Sequence, residues 1–146
     1  KMALNLIKLA VGVESVSHLQ QRQENRLTNH KDTGRKMHRV LTRNMPKRAE
    51  EIIKGGGSLY WVIKGHVLVR QMISTIEIIE NNNDKRRCAI YLEPKLVGVI
   101  SRRIRPFQGW RYFEHANTPP DLPEAFCAEN DMESELAVEL RELGLI

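Results

Sequence analysis

Short apolar runs alternate with polar breaks along this chain, and the period of each run predicts the element it builds. Residues 3–11 form a nearly continuous apolar stretch that fits a buried strand. Gly12 ends it. Ser15 or Ser17 can then cap a helix over 17–28, with Val16, Leu19 and Leu27 on one face. Residues 29–36 are polar around Gly34 and read as an exposed loop. A second strand is predicted over 37–43, where Met, Val and Thr alternate with His and Arg. Pro46 suits a first helical turn, and 47–54 continue it with Ala49, Ile52 and Ile53 as the inner stripe and Gly55 as the stop.

After that helix the pattern turns to strand. Residues 59–63 and 67–79 flank Lys64-Gly65, a strand, tight turn and strand. Residues 81–85 make a second turn before a strand over 87–92. Glu93-Pro94 breaks the chain, 96–100 resume it, and 107–113 contain another strand. Three prolines exclude regular structure from 117–123. Beyond them 134–143 have helical spacing, with Met132, Leu136, Leu140 and Leu143 on one face and Gly144 as the stop. This order predicts an α+β fold with two or three helices and a mostly antiparallel, barrel-like sheet. One domain spans 1–146: a basic α+β body over 2–113, then a Pro-rich linker and acidic C-terminal helix over 114–146.

Charge sharpens that division. The net charge is +5, yet residues 1–113 hold 22 Lys/Arg against 9 Asp/Glu, and 114–146 hold one Arg and nine acids. Such a chain either folds its acidic end over the basic body or leaves the body open to a polyanion. No apolar run approaches the ~20 residues of a membrane span, so no membrane partner is expected. Asn5 and Lys8 interrupt the opening run, and no small-residue cleavage pattern follows, which favours a strand over a signal peptide. Cys88 and Cys127 have no paired spacing and read as reduced, structural thiols of a cytoplasmic protein.

The candidate chemistry concentrates in residues 102–113, Arg-Arg-Ile-Arg-Pro-Phe-Gln-Gly-Trp-Arg-Tyr-Phe, four guanidinium groups among four rings. Alternation after Gly109 puts Trp110 and Tyr112 on one strand face and Arg111 and Phe113 on the other. A structural reading packs these rings inward and pairs the arginines with rings or acids. The functional reading sets Arg102, Arg103, Arg105 and Arg111 on phosphates, flanked by Lys64 and Arg70, with Trp110, Tyr112 or Trp61 stacked on a base. Gly55-Gly56-Gly57-Ser58 is no phosphate loop, because it follows a helix and enters a strand. The five histidines lack metal-ligand spacing, and no nucleophile motif is present. Neither cofactor nor metal is called for, and catalysis is not the leading expectation. Glu114-His115 beside the arginines has the chemistry of an acid–base pair in a pocket, but reads more simply as exposed loop residues.

Gly-Gly-Ser-Leu-Tyr-Trp-Val-Ile-Lys-Gly over 56–65, Arg70-Gln71, Arg87-Cys-Ala and Arg105-Pro-Phe-Gln-Gly-Trp-Arg-Tyr112 resemble a bacterial, mainly alphaproteobacterial family, number 1489 among the domains of unknown function. The opening Met-Ala-Leu-Asn-Leu-Ile-Lys-Leu and closing Glu-Leu-Gly-Leu-Ile extend the resemblance over essentially the whole chain. It implies a small cytoplasmic bacterial protein and supplies no activity. The order of elements is also similar to the small PUA-like barrels, a group that commonly binds RNA or modified bases. The expectation is therefore a non-catalytic RNA-binding module. A protein-interaction or assembly factor is the alternative, and an enzyme acting on a small anionic substrate comes third.

Overall fold

A computed structural model describes residues 4–25, 28–29, 36–80, 86–105 and 107–122. The terminal helix expected over 134–143, Cys127 and the polar residues 30–35 lie outside the described residues. The elements in chain order are β1 (Leu4–Leu9), α1 (Val16–Glu24), β2 (Thr28–Asn29), β3 (Lys36–Thr42), α2 (Ala49–Lys54) and β4 (Ser58–Ile63). There follow β5 (His66–Glu80), β6 (Arg86–Leu92), β7 (Val97–Arg103), β8 (Trp110–Glu114) and a 3₁₀ turn at His115–Asn117. The fold is α+β. Helix α1 stops at Glu24, short of the predicted 28, and β2 adds a two-residue strand across the end of that predicted helix and the start of the loop.

One mixed sheet carries the molecule, in the order β2-β3-β6-β5-β4-β1-β8, with β7 also on β5. Its end strands β2 and β8 are not joined, so the sheet is open rather than a closed barrel. All described pairings are antiparallel except β1 with β4, where Leu6 registers with Leu59 and Leu9 with Val62. A parallel pair needs a crossover connection, and the long excursion through α1, β3 and α2 supplies it. Strand β5 is the spine. Its first half pairs with β4 and β7, and its second half with β6. At the changeover the Met72 carbonyl accepts from Glu93 while the Ile73 amide donates to Gly57. These two groups of one peptide point oppositely, so β6 and β4 lie on opposite edges of β5.

Alternation on β4 sorts the core into two. Leu59, Trp61 and Ile63 face a larger cluster with Val16 and Leu19 of α1 and Ile52 of α2. Tyr60 and Val62 face a second cluster with Ile7, Val67, Val99, Phe107 and Phe113. A bulge in β5 lets Val67 and Val69 serve opposite clusters. Both faces of β4 are therefore buried.

The local chemistry explains the helix ends. Ser15 caps α1, its hydroxyl accepting from the His18 amide at 3.0 Å. Helix α2 ends in Gly56 at φ +70, with the Gly57 amide on the Ile52 carbonyl and the Gly56 amide on Ile53. That pairing is a Schellman cap, so the glycines close a helix rather than cradle a phosphate. Strand β3 differs from its predicted face pattern. Val40 joins the larger core and Thr42 and His38 share its parity, whereas Met37 packs with Ala89 and Tyr91 on the other side.

The body runs past residue 113. Glu114 completes β8, and residues 118–122 lie along β7 as a strap. Ile100 donates to Pro120, Leu122 donates to Gly98, and Val99 bridges Asp121. Arg70 clamps the strap, with Nε to Asp121 Oδ1 at 2.8 Å and Nη2 to Oδ2 at 2.7 Å.

Candidate functional site

The sheet divides the arginine-aromatic segment. Trp110 and Tyr112 face the helices, as alternation predicts, and Phe113 faces the second core. Arg111 shares the Phe113 face and lies with its guanidinium carbon 4.9 Å from the Phe107 ring centre. Trp110 is half-buried, edge-on to Tyr112 at 5.2 Å. The Tyr112 hydroxyl accepts from the Arg48 amide at 3.1 Å, and the Arg48 guanidinium covers its ring at 5.5 Å. Arg48 in turn pairs with Glu51 and Glu114. Glu114 is thus an ion-pair partner beside α2.

Trp61 requires correction as a stacking platform. It is 6% exposed and packs in the larger core, its indole nitrogen donating to Gln71 Oε1 at 2.8 Å. A ring held at its core face and tied at its polar tip does not present a face for a base. Arg70 is likewise engaged, through Asp121 and a 2.9 Å bond to the Ser58 hydroxyl.

The remaining cations gather at one end of the sheet. Lys64 sits in the β4–β5 turn at φ 49, and Arg103 registers beside His66 just after that turn. Ile104 donates to the Gly65 carbonyl at 2.8 Å, which carries Arg105 past the same turn. Arg102 registers with Val67 and donates to the Asn117 carbonyl. Lys64 reaches Glu14 at 3.6 Å, an exposed pair. Among the described residues, no carboxylate pairs with Arg103 or Arg105, and both are exposed. Lys64, Arg102, Arg103 and Arg105 therefore form a basic rim around the turn.

Two of the cavities among the described residues lie elsewhere. One, of about 410 Å³, is lined by Tyr60, Arg70, His115 and Asp121 under the strap. Arg70 holds the Asp121 carboxyl below its ordinary value, and burial pushes the Tyr60 phenol up. His115 lines this cavity with Arg70, whereas Glu114 and Arg111 do not.

The other cavity, about 240 Å³, lies between the end of β1, helix α1 and β3, with Lys8, Arg22, His38 and Arg39 in its lining. These residues were not singled out for binding by the sequence pattern. Its available signal was a lysine inside an apolar strand and an imidazole next to an arginine in β3. His38 is 6% exposed, and its Nδ1 has no hydrogen-bond partner among the described residues. Leaving such a group unpaired costs about 1–3 kcal/mol. Burial also holds its pKa below the ordinary imidazole value.

No group of three His, Cys, Asp or Glu among the described residues is placed to hold a metal ion. Cys88 is buried, and burial raises its thiol pKa. No helix among the described residues is long and apolar enough to cross a membrane.

An open α+β sheet with a basic rim and a cationic cleft is the class of protein defined by this geometry. Residues 6–146 match the family described as "Protein of unknown function (DUF1489)", and the chain belongs to that family. No curated protein and no solved structure matches the chain.

Proposed function

We propose that this protein is a non-catalytic, cytoplasmic RNA-binding module whose basic rim contacts the phosphate backbone. The observation that carries the reading is the exposure of Arg103 and Arg105 beside Lys64, with no carboxylate on either arginine among the described residues. Exposed guanidinium groups at and just past the end of β7, without a carboxylate partner among the described residues, are suited to phosphate oxygens. Arg102 and Arg111 flank them, partly committed to Asn117 and Phe107. The aromatic contribution narrows to Trp110, which is half-buried on the other face. Binding is therefore dominated by charge and only weakly dependent on base sequence. The likeness to PUA-like barrels belongs to the same proposal and is carried by the order of elements, in a sheet that is itself open.

Single-strand RNA affinity measured over a salt series tests it. Arg103→Ala and Arg105→Ala should each reduce the slope of log affinity on log salt by roughly 0.7, with melting nearly unchanged because exposed charges contribute about 0–1 kcal/mol. A wild-type protein with no salt-sensitive affinity for RNA overturns the reading. A defined protein that co-purifies in place of RNA would instead favour the assembly-factor alternative.

A further inference from the structure

The cleft between β1, α1 and β3 has chemistry of its own, separate from the rim. Lys8, Arg22 and Arg39 line it, and among the described residues no carboxylate does. Glu24, which does not line the cleft, is felt electrostatically at His38. Lys8 projects from β1 on the helix-covered face, registered between Trp61 of β4 and Trp110 of β8. Burial there lowers its pKa, the mark of an ammonium group stripped of water without a compensating anion. Arg22 is fixed by a 2.8 Å bond to the Val11 carbonyl, which orients its guanidinium before any ligand arrives. Arg39 is exposed.

The remaining wall is apolar and rigid. Leu9, Val13, Leu19 and the edge of Trp61 line it. Trp61 is held by Gln71, and Gln71 and Gln23 exchange paired amide bonds of 2.8 and 2.9 Å. At the mouth Val11 is 74% exposed and Leu41 45%. A mostly apolar wall with a few polar and charged side chains around it is the usual composition of a small-molecule site. The volume of about 240 Å³ lies just under the ~300–1,000 Å³ typical of drug-sized ligands, which sets a small upper limit on the occupant.

We propose that this cleft binds a small organic anion with one phosphate or carboxylate head and a flat apolar body. The head sits among Lys8, Arg22 and Arg39, and the body lies against Trp61 and the leucines. Hydrogen bonds between charged groups give the affinity, and the apolar wall selects against inorganic ions. His38, whose Nδ1 has no partner among the described residues, supplies in the same wall a polar group that a bound ligand or its water can satisfy.

The test uses the full chain and the indole N–H signals in ¹H–¹⁵N spectra, with Trp110→Phe assigning the Trp61 signal. The probes are 2-naphthoate, 2-naphthyl phosphate, neutral 2-naphthol and inorganic phosphate. A saturable shift of the Trp61 signal is expected with the naphthoate or naphthyl phosphate, and the tighter of the two identifies the head group. Naphthol and inorganic phosphate should bind at least about tenfold more weakly, near 1.4 kcal/mol. Lys8→Met and Arg39→Gln should each weaken binding by about tenfold, whereas Arg103→Ala, on the rim, should not change it. Equal binding of naphthol, no saturable shift up to about 1 mM, or indifference to both cleft variants would overturn the proposal. Should Lys8→Met fail to fold, the exposed Arg39→Gln variant decides alone.

Discussion

Gly57 has no space for a side chain. A Cβ there would lie 2.1 Å from the Leu4 carbonyl oxygen and 2.9 Å from Ile52 Cγ2. Backbone and a core side chain block it together, so neither β1 nor α2 can yield cheaply. Gly57→Ala should destabilise the fold by about 1–3 kcal/mol or more, read as a fall in melting temperature. Gly109 is the opposite case, with φ +73 and open space around it, so alanine there costs only the left-handed backbone, about 1–2 kcal/mol. His38 provides a pH signature. Its burial outweighs the raising influence of the Gln23 backbone and Glu24, so its folded pKa lies below 6.5. As pH falls through 6.5 the unfolded chain takes up a proton that the folded chain refuses. Stability should therefore be full above 6.5 and decline down to the folded value. His38→Gln should flatten that limb in melting curves. It should leave a separate loss at more acidic pH, where Asp121, held low by Arg70, becomes protonated. A wild-type melting temperature that is constant between pH 7 and 5 would contradict the assignment.

At the scale of elements, local patterns were legible and pairings were not. Alternation after Gly109 correctly separated Trp110 and Tyr112 from Arg111 and Phe113, because period-2 geometry fixes it without reference to neighbours. The Gly55–Gly57 stop was equally local. Strand β3 was legible as a strand but its faces were not, because Met37-His-Arg-Val-Leu-Thr42 has no strict alternation. His38 is buried while Leu41 on the opposite face is exposed. The parallel β1–β4 pair could not be read from patterning, since nothing in either strand specifies direction. Trp61 was ambiguous for a related reason: an indole in an apolar strand carries the same letters whether its face is open or packed under a helix. The cleft required β1, α1 and β3 to converge, a property of topology alone. Trp110 tests where element packing ends and binding begins. A buried ring replaced by Ala costs about 3–5 kcal/mol, and half-burial against Tyr112 should bring Trp110→Ala to about half of that. RNA affinity should fall by about 1–3 kcal/mol in addition only if a base stacks on the ring. Melting and binding measured on the same variant separate the two effects.

The whole molecule carries its charge asymmetrically, and the strap determines how that asymmetry can be tested. Residues 123–146 contain seven carboxylates and one arginine, against a body whose rim arginines have no carboxylate partner among the described residues. Removing those residues raises the positive field of the body, and long-range fields of this kind act on the rate and salt dependence of polyanion binding. The cut must fall after Leu122. Asp121 pairs with Arg70, Leu122 donates to Gly98, and Leu122 and Pro119 are buried, so the strap is part of the fold. A chain ending at Leu122 keeps the strap and should bind single-strand RNA more tightly, with a steeper salt dependence. A chain ending at His115 should melt markedly lower, because it loses the Asp121 clamp, the Asn117 acceptor of Arg102 and the strand-like pairing along β7. Comparing the two separates loss of charge from loss of structure. Equal RNA affinity of the folded Leu122 truncation and the full chain would show that the acidic residues do not oppose the rim.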